Sequence, residues 1–446
     1  MNTGNVIENT RMRLQLLLRS LRSPNFRLFF AGQGISLVGT WMQQVAMSWL
    51  VYRMTGSPFL LGVVGFVGQA PTFILGPVAG VVADRWDKRR LLILTQALSM
   101  FQAALLAFVV LEGIAQVWQI IGLSFLLGLI NTFDIPARQS FFVEIVDNRE
   151  DLGNAIALNS SMFNSARLVG PSIAGLLIAS FGEGTCFVLN SLSYLAVLIA
   201  LAAMRIDKKQ PQRTKRHIIH ELREGFSYAF GFAPIRSILL LMAMVSLMGM
   251  PYTIIMPVFA RDILHGNAQT YGFLMAASGC GALVSTIYLA SRRSVVGLGR
   301  LIARATILFG AGLISFSFTT YLPLSLLILS ITGFGSMALV ASSNTILQTI
   351  VDDDKRGRIM SLFTMSFIGI APFGSLIAGA ITNRVGVRIT LIIGGLSCLA
   401  GGLLFACILP RIRSHIRPIY LKKGIITEVA AGMQSAAELT TPPEKP

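Results

Sequence analysis

The chain has 446 residues, 54% of them hydrophobic and only 13% charged, against about 25% charged in soluble domains. So few charges cannot cover a soluble protein of this length, which makes lipid the solvent for most of the chain. The formal net charge of +17 would point to nucleic acid in a soluble protein. Here the Lys and Arg fall in short segments between apolar runs, on alternate segments and without interleaved stacking aromatics, which excludes that partner and fits charges that orient a membrane protein.

In chain order, residues 1–28 carry Arg11, Arg13, Arg19, Arg22 and Arg27 around a short apolar patch, Leu14–Leu18. No small-residue cleavage site follows an apolar core of signal-peptide length. The segment reads as a basic cytoplasmic lead-in suited to anionic lipid. A spanning helix takes about 20 apolar residues. Six such runs fill residues 29–204: Phe29–Val51, Leu60–Ala83, Leu92–Leu111, Val117–Ala137, Ala155–Phe181 and Cys186–Met204. A basic linker, 205–236, follows with Lys208, Lys209, Arg213, Lys215 and Arg216. Six more runs fill 237–410: Ile238–Phe259, Tyr271–Ala290, Leu301–Phe318, Leu322–Ala341, Ile359–Thr382 and Ile389–Leu409. The polar, Pro-ended tail 411–446 is predicted to be disordered.

This pattern predicts an all-α integral membrane protein of twelve spanning helices in two six-helix halves. With both termini in the cytoplasm, the cytoplasmic segments collect about thirty of the 37 Lys and Arg, and the other face keeps Arg53, Arg261, Arg384 and Arg388. The expected location is therefore the inner (plasma) membrane with cytoplasmic termini. The halves also resemble each other. FFVEIVDNREDLGNAIALNS, from Phe141 after the fourth run, parallels ILQTIVDDDKRGRIMSLFTM, from Ile346 after the tenth. Two-fold repetition is the usual build of secondary transporters, with the substrate site between the halves.

The segment joining the second and third runs reads Gly80-Val-Val-Ala-Asp84-Arg85-Trp-Asp-Lys88-Arg89-Arg90. Gly80 permits close backbone approach. Asp84 sits where a helix ends and is placed to meet Arg85 or the positive end of another helix. Lys88, Arg89 and Arg90 suit acidic loops or lipid phosphates. A topology signal alone accounts for the basic residues but not for Gly80 and Asp84. The spacing predicts a latch that breaks on switching, with the segment Asp352–Arg358 and the start of the eleventh helix as partners.

Gly80, Asp84, Arg85, Lys88 and Arg89 resemble the loop 2–3 signature of the major facilitator superfamily, G-x-x-x-D-R-x-G-R-R, with Asp87 where that pattern has Gly. With Phe133-Asp-Ile-Pro-Ala-Arg-Gln139 and Ala166-Arg-Leu-Val-Gly-Pro171, the chain resembles the branch that holds the enterobactin exporter and the transmembrane secretion effectors. The fifth helix, Ala166-x-x-x-Gly170-Pro171-x-x-Ala174-Gly175, is similar to the superfamily's antiporter signature, with Ala at two of its Gly positions. Small residues four apart allow tight contact, and Pro171 allows a kink. The resemblance implies export in exchange for protons. Relatives of that kind often carry an Arg early in the fourth helix, and Gln119–Leu123 offers none.

Ionisable residues inside spanning helices are costly and usually functional. Asp134 and Arg138 on the fourth helix and Arg167 on the fifth qualify. Asp134 and Arg138 share a face on a regular helix, although Pro136 between them is placed to end or bend it. The expectation is an Asp134–Arg167 pair, sensitive to protons or substrate, or else a fixed pin between helices. Gln43, Gln44, Asn131 and Asn344, with Gln33, Gln69 and Asn190, are candidates to line a central cavity or to bond helix to helix. Trp41, Met42, Met47 and Trp49 suit bulky amphipathic cargo or a lipid face. The cysteines Cys186, Cys280, Cys398 and Cys407 all lie in apolar runs and read as buried small hydrophobes.

No triad, metal motif, carboxylate pair or P-loop is present in the sequence, so the reading is not an enzyme, with no metal and no cofactor. It is a monomeric, ion-coupled exporter of small molecules such as siderophores, drugs or amphipathic metabolites, with membrane lipids and a coupling proton as further partners. A lipid or lysolipid flippase and a non-transporting sensor or scaffold are the alternatives.

Overall fold

The computed structural model describes residues 19–146, 148–205, 226–292, 294–352 and 355–426; the side chains of Pro77, Val81, Asp84 and Arg149 also lie outside the description. The lead-in 1–18, linker residues 206–225 and tail residues 427–446 therefore fall outside it.

Twelve long helices are described: α1 (Pro24–Thr55), α2 (Pro58–Arg85), α3 (Lys88–Leu111), α4 (Val117–Glu144), α5 (Leu152–Phe181), α6 (Glu183–Ala203), α7 (Ala233–Ile263), α8 (Ala268–Ser291), α9 (Leu298–Ser317), α10 (Leu322–Ile350), α11 (Arg356–Val385) and α12 (Val387–Lys422). Eleven are long and apolar enough to cross a membrane. The twelfth, α1, carries Gln33, Gln43 and Gln44 on a 32-residue helix.

Local chemistry sets their ends. Ser23 and Ser57 accept from Phe26 N and Leu60 N at the starts of α1 and α2, each followed by a proline at the first helical position, where its missing N–H costs nothing. Gly182 (φ 81°) and Gly386 (φ 85°) turn the chain from α5 into α6 and from α11 into α12. These are equivalent hairpins of the two halves, and the positive φ is open to glycine at little cost.

Packing repeats between the halves. The pairs α1–α6, α2–α4, α3–α6, α3–α4 and α1–α5 have counterparts in α7–α12, α8–α10, α9–α12, α9–α10 and α7–α11. The halves meet chiefly through α5–α8 and α2–α11, with α7 touching α1 at one end.

Several boundaries differ from the expectation. The first half begins at Pro24, not residue 29. Helix α4 runs through Pro136 to Glu144, since one lost backbone bond is tolerated in a packed spanning helix. Helix α10 runs to Ile350, so Asn344 lies inside it. Residues 411–422 are helical rather than disordered: Ile412, Ile416 and Tyr420 recur at helical spacing and are buried, and Lys423 Nζ donates to Thr349 O at 2.7 Å. The halves also differ in regularity. Helix α7 contains π-helical turns at Val245–Gly249 and Phe259–Ile263, with Pro251 and Pro257 between them, and α11 contains one at Met365–Gly369 just before Pro372. The Ser246 hydroxyl donates to Phe367 O, so two of these irregular turns touch.

Candidate functional site

The seams between the halves are built on small residues. A methyl group at Gly272 on α8 would lie 2.5 Å from Pro171 O and 2.8 Å from Gly175 Cα on α5. One at Gly379 on α11 would lie 2.9 Å from Gly62 Cα on α2. Backbone atoms cannot yield, so these crossings require glycine. On its other flank α5 packs against α1: Gly170 faces Trp41 Cβ and Val38 O, and Ala166 packs with Leu37 and Met162. Ala166, Gly170, Pro171 and Gly175 thus serve two contacts, one within the half and one between halves.

The side opposite the chain termini, the far side, carries a seal that the sequence did not disclose. The Tyr52 hydroxyl of α1 donates to Asp262 Oδ2 of α7 at 2.6 Å. The Arg261 guanidinium lies 5.7 Å above the Tyr52 ring. Trp49 of α1 stacks on Tyr271 of α8, with centroids 6.2 Å apart and planes 18° apart. Trp49 is buried, so of the two alternatives for it, cargo or lipid, the lipid face does not hold. Arg53 pairs bidentately with Glu183 at 2.7 and 3.2 Å, pinning α1 to α6 beside the seal.

At the terminal side, loop 2–3 is held within its own half. Asp87 caps α3 by accepting from Arg90 N at 3.0 Å, which gives the departure from the family's glycine a physical role. Lys88 pairs with Glu144 of α4. Arg89 donates to Leu201 O and Ala202 O at 2.8 and 3.0 Å, where the carbonyl end of α6 favours a cation. The expected partners in 352–358 belong to the other half; residues 353 and 354 lie outside the description, and among the described residues the contacts of Lys88 and Arg89 are with α4 and α6. Among the described residues nothing lies within 4 Å of a methyl group placed at Gly80, so none of them makes the expected close approach in this arrangement. Asp84 lies in the last turn of α2 beside Arg85, and its side chain is outside the described residues.

Asp134 is 2% exposed and sits between α4 and α3. Its Oδ1 accepts from Thr95 Oγ1 and Gln96 Nε2, both at 2.8 Å, and Arg138 Nη2 lies 3.4 Å from Oδ2. Because α4 stays helical through Pro136, Asp134 and Arg138 do share a face. The expected Asp134–Arg167 pair does not form: Asp134 points to α3, whereas Arg167 lies 5.8 Å from the centre of the Trp41 ring on α1.

Gln43 is buried in an interhelical chain rather than lining a cavity. It donates to Gln102 Oε1 at 3.0 Å and accepts from Asn190 at 2.7 Å, while Gln102 donates to Leu123 O at 3.2 Å. Gln44 is exposed, Asn131 is half-buried on α4, and Asn344 accepts from Gln348 at 3.0 Å within α10. Cys186 and Cys398 are buried as expected, whereas Cys280 and Cys407 are exposed.

Two pseudo-symmetric six-helix bodies, joined along α5–α8 and α2–α11 and sealed at one end, define a membrane transporter of the major facilitator fold. The chain belongs to the transmembrane secretion effector family, whose profile matches residues 17–420. It is 25% identical to the staphyloferrin A transporter of Staphylococcus aureus over 85% of this chain and 95% of that protein. It is 24% identical to the multidrug efflux pump Tap of Mycobacterium tuberculosis over 88% and 95%, and 23% identical to macrolide efflux protein A of Streptococcus pyogenes over 84% and 94%. Solved structures share the fold. A bacterial homologue of the human lysosomal transporter Spinster, inward-facing and unoccupied, has a TM-score of 0.62 at 15% identity over 90% of this chain and 98% of that one. A peptide transporter POT in complex with alafosfalin reaches 0.71 at 13% identity over 88% and 95%.

Proposed function

We propose that this transporter is a proton-coupled exporter of small molecules in the inner membrane, working by alternating access with both termini cytoplasmic. The observation that carries the reading is the asymmetry of the cross-half contacts. Polar and aromatic groups seal the far side at Tyr52, Asp262, Trp49 and Tyr271, while among the described loop 2–3 side chains Lys88 and Arg89 bond inside their own half. With the termini in the cytoplasm, as the positive charges favour, this is an inward-facing arrangement ready to load cargo from the cell. Relatives named for efflux across nearly their whole length support the outward direction.

In this reading Asp134 is the candidate proton carrier, a buried carboxylate held by Thr95, Gln96 and Arg138. Protonation would weaken its hold on Arg138 and loosen α4. Arg167, Gln44, Asn131 and Asn344 are candidates to meet cargo, and Gln43 is an interhelical tie. Gly80, Asp84, Arg85, Lys88 and Arg89 form the latch, which engages the other half in the opposite, outward-facing arrangement. The test is a deletion strain and its complemented partner, grown on a panel of toxic compounds with siderophore secretion measured beside it. Complementation should restore low accumulation of at least one compound, and a protonophore should abolish the difference. Equal retention by both strains across the panel, or a difference that survives the protonophore, overturns the proposal.

A further inference from the structure

Arg167 lies near the middle of α5, roughly 20 Å along the helix from Leu152 by rise per residue. A cation at such depth ordinarily has an acidic partner. Among the described residues the ion pairs are Arg19–Asp151, Arg53–Glu183, Lys88–Glu144 and Arg138–Asp134, and Arg167 is in none of them. Its guanidinium instead lies 5.8 Å from the Trp41 ring centre, and Trp41 meets Phe163 edge-on at 5.9 Å and 74°. A ring face supplies attraction but no net negative charge.

Helix geometry places this group at the seam of the halves. Ala166 and Gly170 face α1, while the backbone of Arg167 and Leu168 faces Gly279 of α8, which belongs to the other half. At 100° per residue the Arg167 side chain leaves α5 between those two contacts. The opposite flank bears Val169, Ile173 and Leu176, exposed and apolar as a lipid face should be. Arg167 therefore points into the space between the halves. Phe163, 46% exposed, shares that flank.

We infer that Arg167, Trp41 and Phe163 form the point where cargo is held, and that the cargo is an amphipathic organic anion. Its carboxylate or sulfonate pairs with the guanidinium, whose planar fork suits such groups. Its apolar body lies on the two aromatic rings. This inference rests on the reading that the space between the halves carries cargo. It is tested by binding alone, so that failed proton-driven export with an intact charge preference would count against the functional reading and leave this one standing.

The full chain in nanodiscs is titrated with two probes that share a fluorophore, dansylglycine (an anion) and dansylcadaverine (a cation). Wild type should bind the anion about tenfold more tightly or better, a change easily read as a ratio of Kd values. Arg167→Gln should abolish that preference, and Arg167→Lys should keep part of it. Phe163→Ala should weaken both probes alike. No binding of dansylglycine by wild type, equal affinity for the two probes, or wild-type anion affinity in Arg167→Gln overturns the inference. Equal weakening of both probes by Arg167→Gln also overturns it, because that is what a purely structural hold on Trp41 would give. Should Arg167→Gln fail to fold, displacement from wild type decides: octanoate should displace dansylglycine and octylammonium should not, and any other pattern counts against the site.

Discussion

The Tyr52 hydroxyl donates to Asp262 Oδ2 at 2.6 Å across the two halves. The bond ties the last turn of α1 to the end of α7, on the side away from the termini. Tyr52 is 4% exposed, whereas Asp262 and Arg261 are open to solvent. The bond is therefore one that water can replace once the halves part, which suits a seal that opens in the proposed cycle.

Tyr52→Phe removes the donor and leaves the ring for Arg261. A hydrogen bond of this kind contributes about 1 kcal/mol, so its loss should raise the population open on the far side about fivefold. The measure is labelling by a membrane-impermeant maleimide of a cysteine placed at Ser48, in a chain whose four native cysteines are replaced by serine. Labelling from the far side should speed up by that factor. Unchanged labelling would mean that the stack of Trp49 on Tyr271 holds the seal without the hydrogen bond.

Asp134→Asn keeps an acceptor for Thr95 Oγ1 and Gln96 Nε2 but removes the charge that faces Arg138. Transport driven by an imposed pH gradient in proteoliposomes should be lost. Exchange of cargo down its own gradient should persist, since the fold keeps its packing and most of its hydrogen bonds. The variant should melt within a few degrees of wild type. Intact pH-driven transport in Asp134→Asn would remove Asp134 as the coupling acid.

Helix number, the division into halves and most helix positions were legible because runs of spanning length and the alternation of positive charge are written locally in the chain. Ala166, Gly170 and Ala174 are small residues four apart, a spacing that suits close helix contact in lipid, and Gly175 follows them directly. Partnerships were less legible. Asp134 and Arg167 are both costly charges, and pairing them is the economical guess, but it ignores the faces of their helices: Asp134 looks to Thr95 and Gln96, and Arg167 to Trp41. The seal was missed because Tyr52 and Asp262 are separated by 210 positions and neither belongs to a local motif. The irregular turns in α7 and α11 did leave a trace, in Gly249-Met-Pro251, Pro257 and Pro372, yet proline alone does not distinguish a π-turn from the tolerated Pro136.

Asp87 stands where the family pattern has glycine and caps α3 through Arg90 N. Asp87→Ala should cost about 1 kcal/mol through the lost cap, and Asp87→Gly only a few tenths. Thermal melting of the purified protein should order wild type, then Gly, then Ala. An alanine variant as stable as wild type would place the value of Asp87 in loop charge rather than in the cap.

Two glycines separate the two conformations of the proposed alternating-access cycle. At Gly272 a methyl group would meet the backbone of α5 in the arrangement described, 2.5 Å from Pro171 O. Gly272→Ala should therefore lower the melting temperature and speed far-side labelling at Ser48→Cys, because the α5–α8 seam can no longer close. At Gly80 a methyl group meets nothing within 4 Å among the described residues. Gly80→Leu should leave melting unchanged within about 1 kcal/mol, as expected of a substitution without a buried clash. Yet if loop 2–3 closes on the other half when the far side opens, Gly80→Leu should block turnover and hold the chain in its present arrangement, with far-side labelling slower than in wild type. A Gly80→Leu variant that transports at the wild-type rate would limit the loop to orienting the chain in the membrane, because a latch that requires close backbone approach cannot accommodate leucine there.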